Sequence, residues 1–372
     1  MDGVDAALVT MSANPESPRV ELTQFVSTPY PEALREALAD LAGGANVTAE
    51  DVARLVTGVA VAFAGGFFDV CRQAGVDARG IDFIGAHGQT VAHVPPGSGS
   101  PVTGTLQLGP PSMIAALTGV TTVGDFRSGD LAIGGQAAPL APYADFMLRR
   151  SAEKNRIILN IGGISNITYL RAGAAREDVI AFDAGPGNMV IDVLYRALFP
   201  GQGDFDEDGV RAAAGTANRN VVESMLRHPY FAGVPPKSAG HREFGPPFAW
   251  ALKTAADAEN ASPEDTLATA AALTIDTIVD AVQRFLPPGG VDEVFVTGGG
   301  ARNRVILDGL QAALSPVPVR PIDELGIPAE AKEACDFALL ARETLLGRTN
   351  VIRNVTGAAR ALVLGSIARG SE

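Results

Sequence analysis

The sequence predicts an α/β protein made of two halves built to one plan, and three observations carry that prediction. Residues 157–161 and 166–170 are apolar runs turned about Gly162-Gly163, and 178–180 adds a third strand that leads through Asp183 into the helically spaced run from Met189 to Leu194. Residues 291–296 are a mostly apolar strand that breaks at Gly298-Gly299-Gly300 and enters a helix from Ala301. The opening Met1-Asp2-Gly3, followed by a strand over 4–9, matches the second arm of the 157–170 hairpin with its first arm absent, so the plan recurs. The boundaries that follow are a first domain over 1–145, a second over 146–349, and a tail from about 350 to 372 that packs back on the first.

The first half alternates strands and helices. Residues 20–26 alternate as a strand, 31–41 and 48–74 carry apolar positions at helical spacing, and 81–85 reads as a buried strand ending in Ala86-His87-Gly88-Gln89-Thr90. A loop at 95–100, a strand over 105–108, a helix near 112–117 and a strand over 120–123 continue the pattern. The polar, Gly-rich passage from Asp125-Phe126-Arg127 to Gly134-Gly135-Gln136 is too long for a mere connection, and such loops usually carry function. Residues 139–150 form a helix leading out of the first domain. In the second half, helices are expected near 246–257 and 329–346, and the longest over 263–285, where Leu267, Ala271, Ile275, Ile278, Val282 and Phe285 are spaced by three or four. The tail through 361–364 completes a sheet or helix elsewhere.

Composition narrows the function. A length of 372 residues with 47% hydrophobic content supports two cored domains. A net charge of −13, with no basic helix-turn-helix, argues against nucleic acid or an anionic membrane as partner, so an anionic substrate must meet local donors. Cys71 and Cys335 lie far apart in apolar segments and read as buried thiols of a reducing cytosol. No signal-peptide succession is present and no apolar run is expected to reach spanning length without polar interruption, which points to a cytoplasmic protein. The four histidines lack zinc spacing, so a metal, if present, is Mg²⁺ on carboxylate and phosphate.

Two stretches carry chemistry by their residues alone. A strand ending in Asp183, with Gly185, Gly187 and Asn188 before a helix, sets a carboxylate beside bare backbone N–H groups at the mouth of a sheet; the competing reading is an acid that caps the turn. Gly298-Gly299-Gly300 between strand and helix either cradles phosphate or makes a tight turn.

Nine runs together resemble one family, the anhydro-N-acetylmuramic acid kinases of the sugar kinase, actin and heat-shock chaperone superfamily. They are Met1-Asp2-Gly3-Val4-Asp5, Gly85-Ala86-His87-Gly88-Gln89-Thr90, Asp125-Phe126-Arg127, Asn160-Ile161-Gly162-Gly163-Ile164-Ser165-Asn166, the run from Phe182 to Asn188, Pro236-Lys237-Ser238, the run from Gly298 to Asn303, Lys332-Glu333-Ala334, and Val355-Thr356-Gly357-Ala358. The resemblance implies two duplicated ribonuclease H-like domains of the actin/sugar-kinase type with the active-site cleft between them. It implies ATP and Mg²⁺ as cofactors, a small amino sugar as substrate, and a reaction in which water opens the 1,6-anhydro ring while O6 takes the γ-phosphoryl group. Asp183 would be the general base for that water. Asp2, Gly3, Asp5, Gly162, Gly163, Gly185, Gly187, Asn188, Gly298, Gly299 and Gly300 would surround the nucleotide, with Asp2 also on Mg²⁺. His87, Gln89, Thr90, Asp125, Arg127 and Glu333 would line the sugar side; Glu330 is the alternative to Glu333, Arg127 suits a carboxylate, and His87 is otherwise an interior histidine. A homodimer is expected on base rates.

The match departs from the family twice. The family carries Ser-Gly-Thr-Ser just before Met-Asp-Gly, so Met1 is expected to be an internal methionine of a longer chain; otherwise a non-catalytic binding homologue becomes the reading. Ala137 stands where the family usually has glycine. A kinase of a non-anhydro amino sugar is the remaining alternative.

Overall fold

The computed structural model describes residues 3–14, 16–287 and 290–371. The chain forms two compact units, Met1–Arg149 together with Glu330–Glu372, and Arg150–Ala329. The return to the first unit thus comes at Glu330, some twenty residues before the position expected from the sequence, because the helix Lys332–Leu345 is tied to it by ion pairs between Asp336 and Arg149 and by Phe337 against the His87 ring.

The first unit opens with an antiparallel hairpin of β1 (Gly3–Met11) and β2 (Val20–Pro29). The helix Ala49–Ala74 starts at a capping box, in which Thr48 accepts from the Asp51 N–H while Asp51 accepts from the Thr48 N–H, and it stops at Gly75 with φ +68°. Contrary to the sequence expectation, this helix is long and apolar enough to cross a membrane by length and composition. Here it is a core helix, with Leu55 and Val59 buried against Val4, Leu38 and Leu108. β3 covers only Ile84–Gly85, shorter than expected; β4 (Gln89–Val94) and β5 (Gly104–Leu108) form a separate antiparallel pair, and β6 (Thr122–Gly124) runs parallel to β3. The long Gly-rich passage contains the short helix Ser128–Ala132 and is followed by the helix Ala141–Arg149.

The second unit is a five-stranded sheet. β7 (Arg156–Ile161), β8 (Ile164–Leu170) and β9 (Ile180–Pro186) are antiparallel, β10 (Glu293–Thr297) lies parallel to β7 and β11 (Val319–Pro321) parallel to β10, in the order β11-β10-β7-β8-β9. The middle strands are covered on both faces, so β7 reads Arg-Ile-Ile-Leu-Asn-Ile with Ile157, Ile158, Leu159 and Ile161 all buried. The helix Pro263–Phe285 begins at a second capping box, Ser262 with Asp265, and buries Leu267, Ala271 and Ile278 in the same core as β7 to β9.

The C-terminal segment returns through Lys332–Leu345 and ends in β12 (Ser366–Ala368), antiparallel to β6, giving the order β12-β6-β3. No strand or helix covers 361–364; that stretch is held instead by buried Asn350, whose Oδ1 accepts from the Leu364 N–H at 2.7 Å. The same unit buries a cluster of four charges in contact with one another. Arg149 Nη1 lies 3.0 Å from Asp145 and 2.8 Å from Asp336, and Lys332 Nζ lies 3.0 Å from Asp145 and 2.7 Å from Asp336. Two cations and two anions cancel, which is the condition under which such groups tolerate burial.

Candidate functional site

In the second unit, Asp183 sits within β9 rather than at its end, because the strand continues to Pro186. Pairing with β8 shifts register there: Asn166 faces Asp183 while Ser165 faces Gly185, leaving Ala184 as the extra residue of a bulge. Bulges re-aim side chains. The Asp183 N–H donates to the Lys237 carbonyl at 3.1 Å instead of to β8, and the Asp183 carbonyl accepts from the Tyr230 hydroxyl at 2.7 Å. One carboxylate oxygen, Oδ2, accepts from the Ala239 N–H at 2.8 Å; Oδ1 accepts no hydrogen bond among the described residues. Burial pushes this carboxyl up to about 6, with the Glu243 charge adding to the rise, against the opposing pull of the Ala239 N–H and of Lys237. The Lys237 ammonium lies over the Tyr230 and Phe285 rings at 4.6 and 5.0 Å, and burial lowers its pKa.

The glycine turns meet at the carboxyl end of β7 and β10. The Gly187 N–H donates to the Gly163 carbonyl at 2.9 Å and the Asn188 N–H to the Gly162 carbonyl at 2.7 Å. Gly298 has φ +82°, and a Cβ there would meet Asn160 Oδ1 at 2.6 Å; a Cβ on Gly299 would approach Asn188. Gly162, Gly163, Gly187, Asn188, Gly298 and Gly299 therefore form one surface of close backbone. At Gly185 and Gly300 packing alone already requires glycine: a Cβ on Gly185 would strike Thr277, and one on Gly300 would strike Ile161. The helix after the triplet, Arg304–Leu314, starts three residues later than expected, after a 3-10 turn over Gly299–Arg302, and is capped by Asn303, whose side chain accepts from the Ile306 N–H at 3.3 Å.

In the first unit, His87 and Arg127 make one hydrogen-bonded pair. His87 Nδ1 is 2.9 Å from the Gly88 carbonyl, which can only accept, so Nδ1 carries the proton and Nε2 accepts from Arg127 Nε at 2.8 Å. Burial first, then the neighbouring guanidinium, lowers the His87 pKa to about 4 and keeps the ring neutral. Arg127 also donates through Nη1 to the Ala137 carbonyl at 2.8 Å. Its other N–H donors make no hydrogen bond among the described residues. Glu333 is exposed on the wall of a cavity it shares with His87, Gln89 and Thr90; crowding by the surrounding protein, with Asp336 next, raises its carboxyl above the ordinary range, while Lys332 and Arg127 pull the other way.

The family model described as anhydro-N-acetylmuramic acid kinase matches residues 1–370. The chain belongs to that family. Among curated relatives so named, that of Salinibacter ruber is 43% identical over 371 residues, 99% of this chain and 93% of the relative. That of Gloeobacter violaceus is 44% identical over 367 residues, 99% and 95% respectively, and that of Caldanaerobacter subterraneus 38% over 370 residues, 98% and 93%.

Within this family member, the structure brings the expected residues together in sets. His87, Gln89, Thr90, Glu333, Gly3 and Asp5 line one cavity, with Arg127 bonded to His87. Asp125, at φ +55°, accepts from the Ser128 N–H through Oδ1 at 3.1 Å, just before the short helix Ser128–Ala132. Asp2 lies outside the described residues. Among the described residues no three His, Cys, Asp or Glu side chains gather to hold a metal. The sequence reading missed Tyr230 and Glu243 beside Asp183, for which nothing in the local pattern gave a signal. It also missed the buried quartet, although Asp145 and Arg149, and Lys332 and Asp336, each carry the i, i+4 spacing of paired charges on an otherwise apolar helix.

Proposed function

We propose that the chain opens the 1,6-anhydro ring of 1,6-anhydro-N-acetylmuramic acid with water and phosphorylates O6 from MgATP. Asp183 is the observation that carries this reading: a buried carboxyl raised to about 6 with one oxygen held by Ala239 and the other open is poised as a base near neutral pH. Asp183 takes a proton from water as its oxygen bonds to the anomeric carbon. The C1–O6 bond breaks, O6 bonds to the γ-phosphorus, and ADP leaves. Phosphoryl transfer needs positioning and charge neutralisation more than covalent help, which suits the glycine surface of Gly162, Gly163, Gly187, Gly298 and Gly299 for the phosphates. Arg127 meets the lactyl carboxylate through its remaining donors, held in place by neutral His87 and the Ala137 carbonyl. Glu333, Gln89 and Thr90 meet hydroxyl and acetamido groups. Two buried, unbridged thiols, Cys71 and Cys335, fit a cytoplasmic enzyme, and a homodimer is a separate proposal for sedimentation.

The experiment is mass spectrometry of the anhydro sugar incubated with ATP and Mg²⁺, beside the hydrolysed sugar and an Asp183→Asn control. A product heavier than the anhydro sugar by one water and one phosphoryl group, absent from the control, is expected. Phosphorylation of the hydrolysed sugar alone would overturn the coupled reaction in favour of an ordinary amino-sugar kinase.

A further inference from the structure

The run Val355-Thr356-Gly357-Ala358 takes no part in the proposed reaction and does not line the cavity beside His87. Thr356 ends the short helix Arg353–Thr356 and is buried. It makes two bonds to the Gly-rich passage of the same unit. Its hydroxyl donates to Asp130 Oδ1 at 2.9 Å, and its carbonyl accepts from the Gln136 N–H at 2.7 Å. A third bond, from the Ala359 N–H to the Ile133 carbonyl at 3.3 Å, closes the seam beyond Gly357. Asp130 is fully buried, and its second oxygen, Oδ2, accepts from the Ala137 N–H at 2.8 Å. The Ala137 carbonyl is the one that accepts from Arg127 Nη1 at 2.8 Å. Thr356, Asp130, Ala137 and Arg127 are thus joined link by link.

We infer that Thr356 is a positioning residue for the proposed carboxylate site: acting through Asp130 and Ala137, it fixes the plane of the Arg127 guanidinium. The inference rests on the proposed assignment of Arg127 to the sugar's carboxylate. A guanidinium held at one nitrogen can pivot. His87 holds Arg127 at Nε, and the Ala137 carbonyl supplies the second point, so the remaining donors keep one direction. Ala137 cannot supply that point unaided. No strand or helix covers 134–140, and Ala137 has φ +54°, a state that a residue with a Cβ keeps only where its surroundings impose it. The surroundings that impose it are the two bonds on either side of the Gln136–Ala137 peptide, the first to the Thr356 carbonyl and the second to Asp130. The loop is also shaped around that acid, since a Cβ on Gly135 would strike the Asp130 carboxylate. Asp130 is held in turn by the Thr356 hydroxyl, and a buried carboxylate oxygen that loses its donor pays the full cost of its burial.

The test uses the full chain and three substitutions at Thr356. Thr356→Val keeps the shape and removes the hydroxyl, Thr356→Ala leaves room for a water to donate in its place, and Thr356→Ser keeps the donor. NMR of the Arg127 Nε–H reads the hold on the guanidinium without substrate, and steady-state kinetics read its use. Thr356→Val is expected to speed exchange of that proton about tenfold. It should also raise the sugar KM about tenfold while kcat moves less than about twofold. Thr356→Ala should fall between Val and the parent, and Thr356→Ser should match the parent. Exchange at the parent rate in every folded variant lacking the hydroxyl would overturn the inference. So would a loss confined to kcat, since Thr356 would then act elsewhere than on Arg127. Arg127→Met separates this from the underlying reading. An unchanged KM there would overturn the carboxylate assignment itself, while faster Arg127 exchange in Thr356→Val would still support the hold that Thr356 exerts.

Discussion

Replacing Asp183 by Asn separates stability from activity in a way the structure quantifies. The carboxyl is raised from an ordinary value near 3.9 to about 6 in the folded protein, chiefly by burial. Below about pH 4 the group is protonated both folded and unfolded, and its contribution is fully present; as pH rises through 6 the folded state must ionise a buried group and that stability is lost. The difference of about two pH units corresponds to about 3 kcal/mol. Asn keeps the shape and an acceptor for the Ala239 N–H without ionising. At pH 8 the variant is therefore expected to exceed the parent by up to about 3 kcal/mol, about 6–12 °C in the melting of the second unit by the scaling for 150–250 residues. The gain should vanish by pH 4, while turnover falls about 10²–10⁴-fold as for loss of a general base. Calorimetry across pH 4–8, with turnover measured on the same samples, reads both. A variant that is no more stable than the parent at pH 8 would refute the account of a carboxyl held up by burial, whatever its activity.

Other perturbations act on the neighbouring structure. Arg127→Met should raise the sugar KM more than tenfold and move the His87 pKa upward from about 4, but only part of the way, because burial is the larger cause; NMR titration of the ring checks it. Lys332→Met leaves Asp145 and Asp336 sharing Arg149 alone in a buried site, and urea unfolding should show a loss of about 3–5 kcal/mol. Ala137→Gly should be neutral or stabilise by up to about 1 kcal/mol, since Ala137 holds φ +54° in a fully buried position where glycine has no Cβ penalty. Gly298→Ala should weaken nucleotide binding and lower Tm, because its left-handed φ and the nearby Asn160 Oδ1 leave no place for a Cβ; fluorescence titration with a nucleotide analogue measures the first.

What was legible in the sequence followed its periodicities. The hairpin about Gly162-Gly163, the capped helix over 263–285 and the repetition of the plan could be read because buried strands and amphipathic helices write themselves into spacing. Long-range partners do not. The bulge that turns Asp183 away from β8, the Tyr230 hydroxyl on its carbonyl 47 positions away, and the return of the chain at Glu330 all depend on contacts that no local window holds. Asp125 also has a local partner, since its Oδ1 accepts from the Ser128 N–H three residues on, the kind of contact a short window of sequence does carry.

On the proposed reading, the His87–Arg127 pair is how an acidic chain builds a site for an anion. A net charge of −13 makes the average field unfavourable to a carboxylate, so binding must come from donors fixed at short range. Arg127 is half-buried, and that desolvation disfavours its charge, while Glu333 is the charge that favours it. His87 stays neutral and accepts from Nε, so it orients the guanidinium without adding a second cation that would repel it. Ala137 fixes Nη1 through its carbonyl, which is also why the strained backbone at that residue matters to the site and not only to the loop. His87→Phe keeps the ring volume against Phe337 but removes the acceptor. It should leave Arg127 charged and mobile, raising the sugar KM while kcat changes little. An equal loss in both would mean that His87 acts on the reacting atoms and is no mere positioning residue.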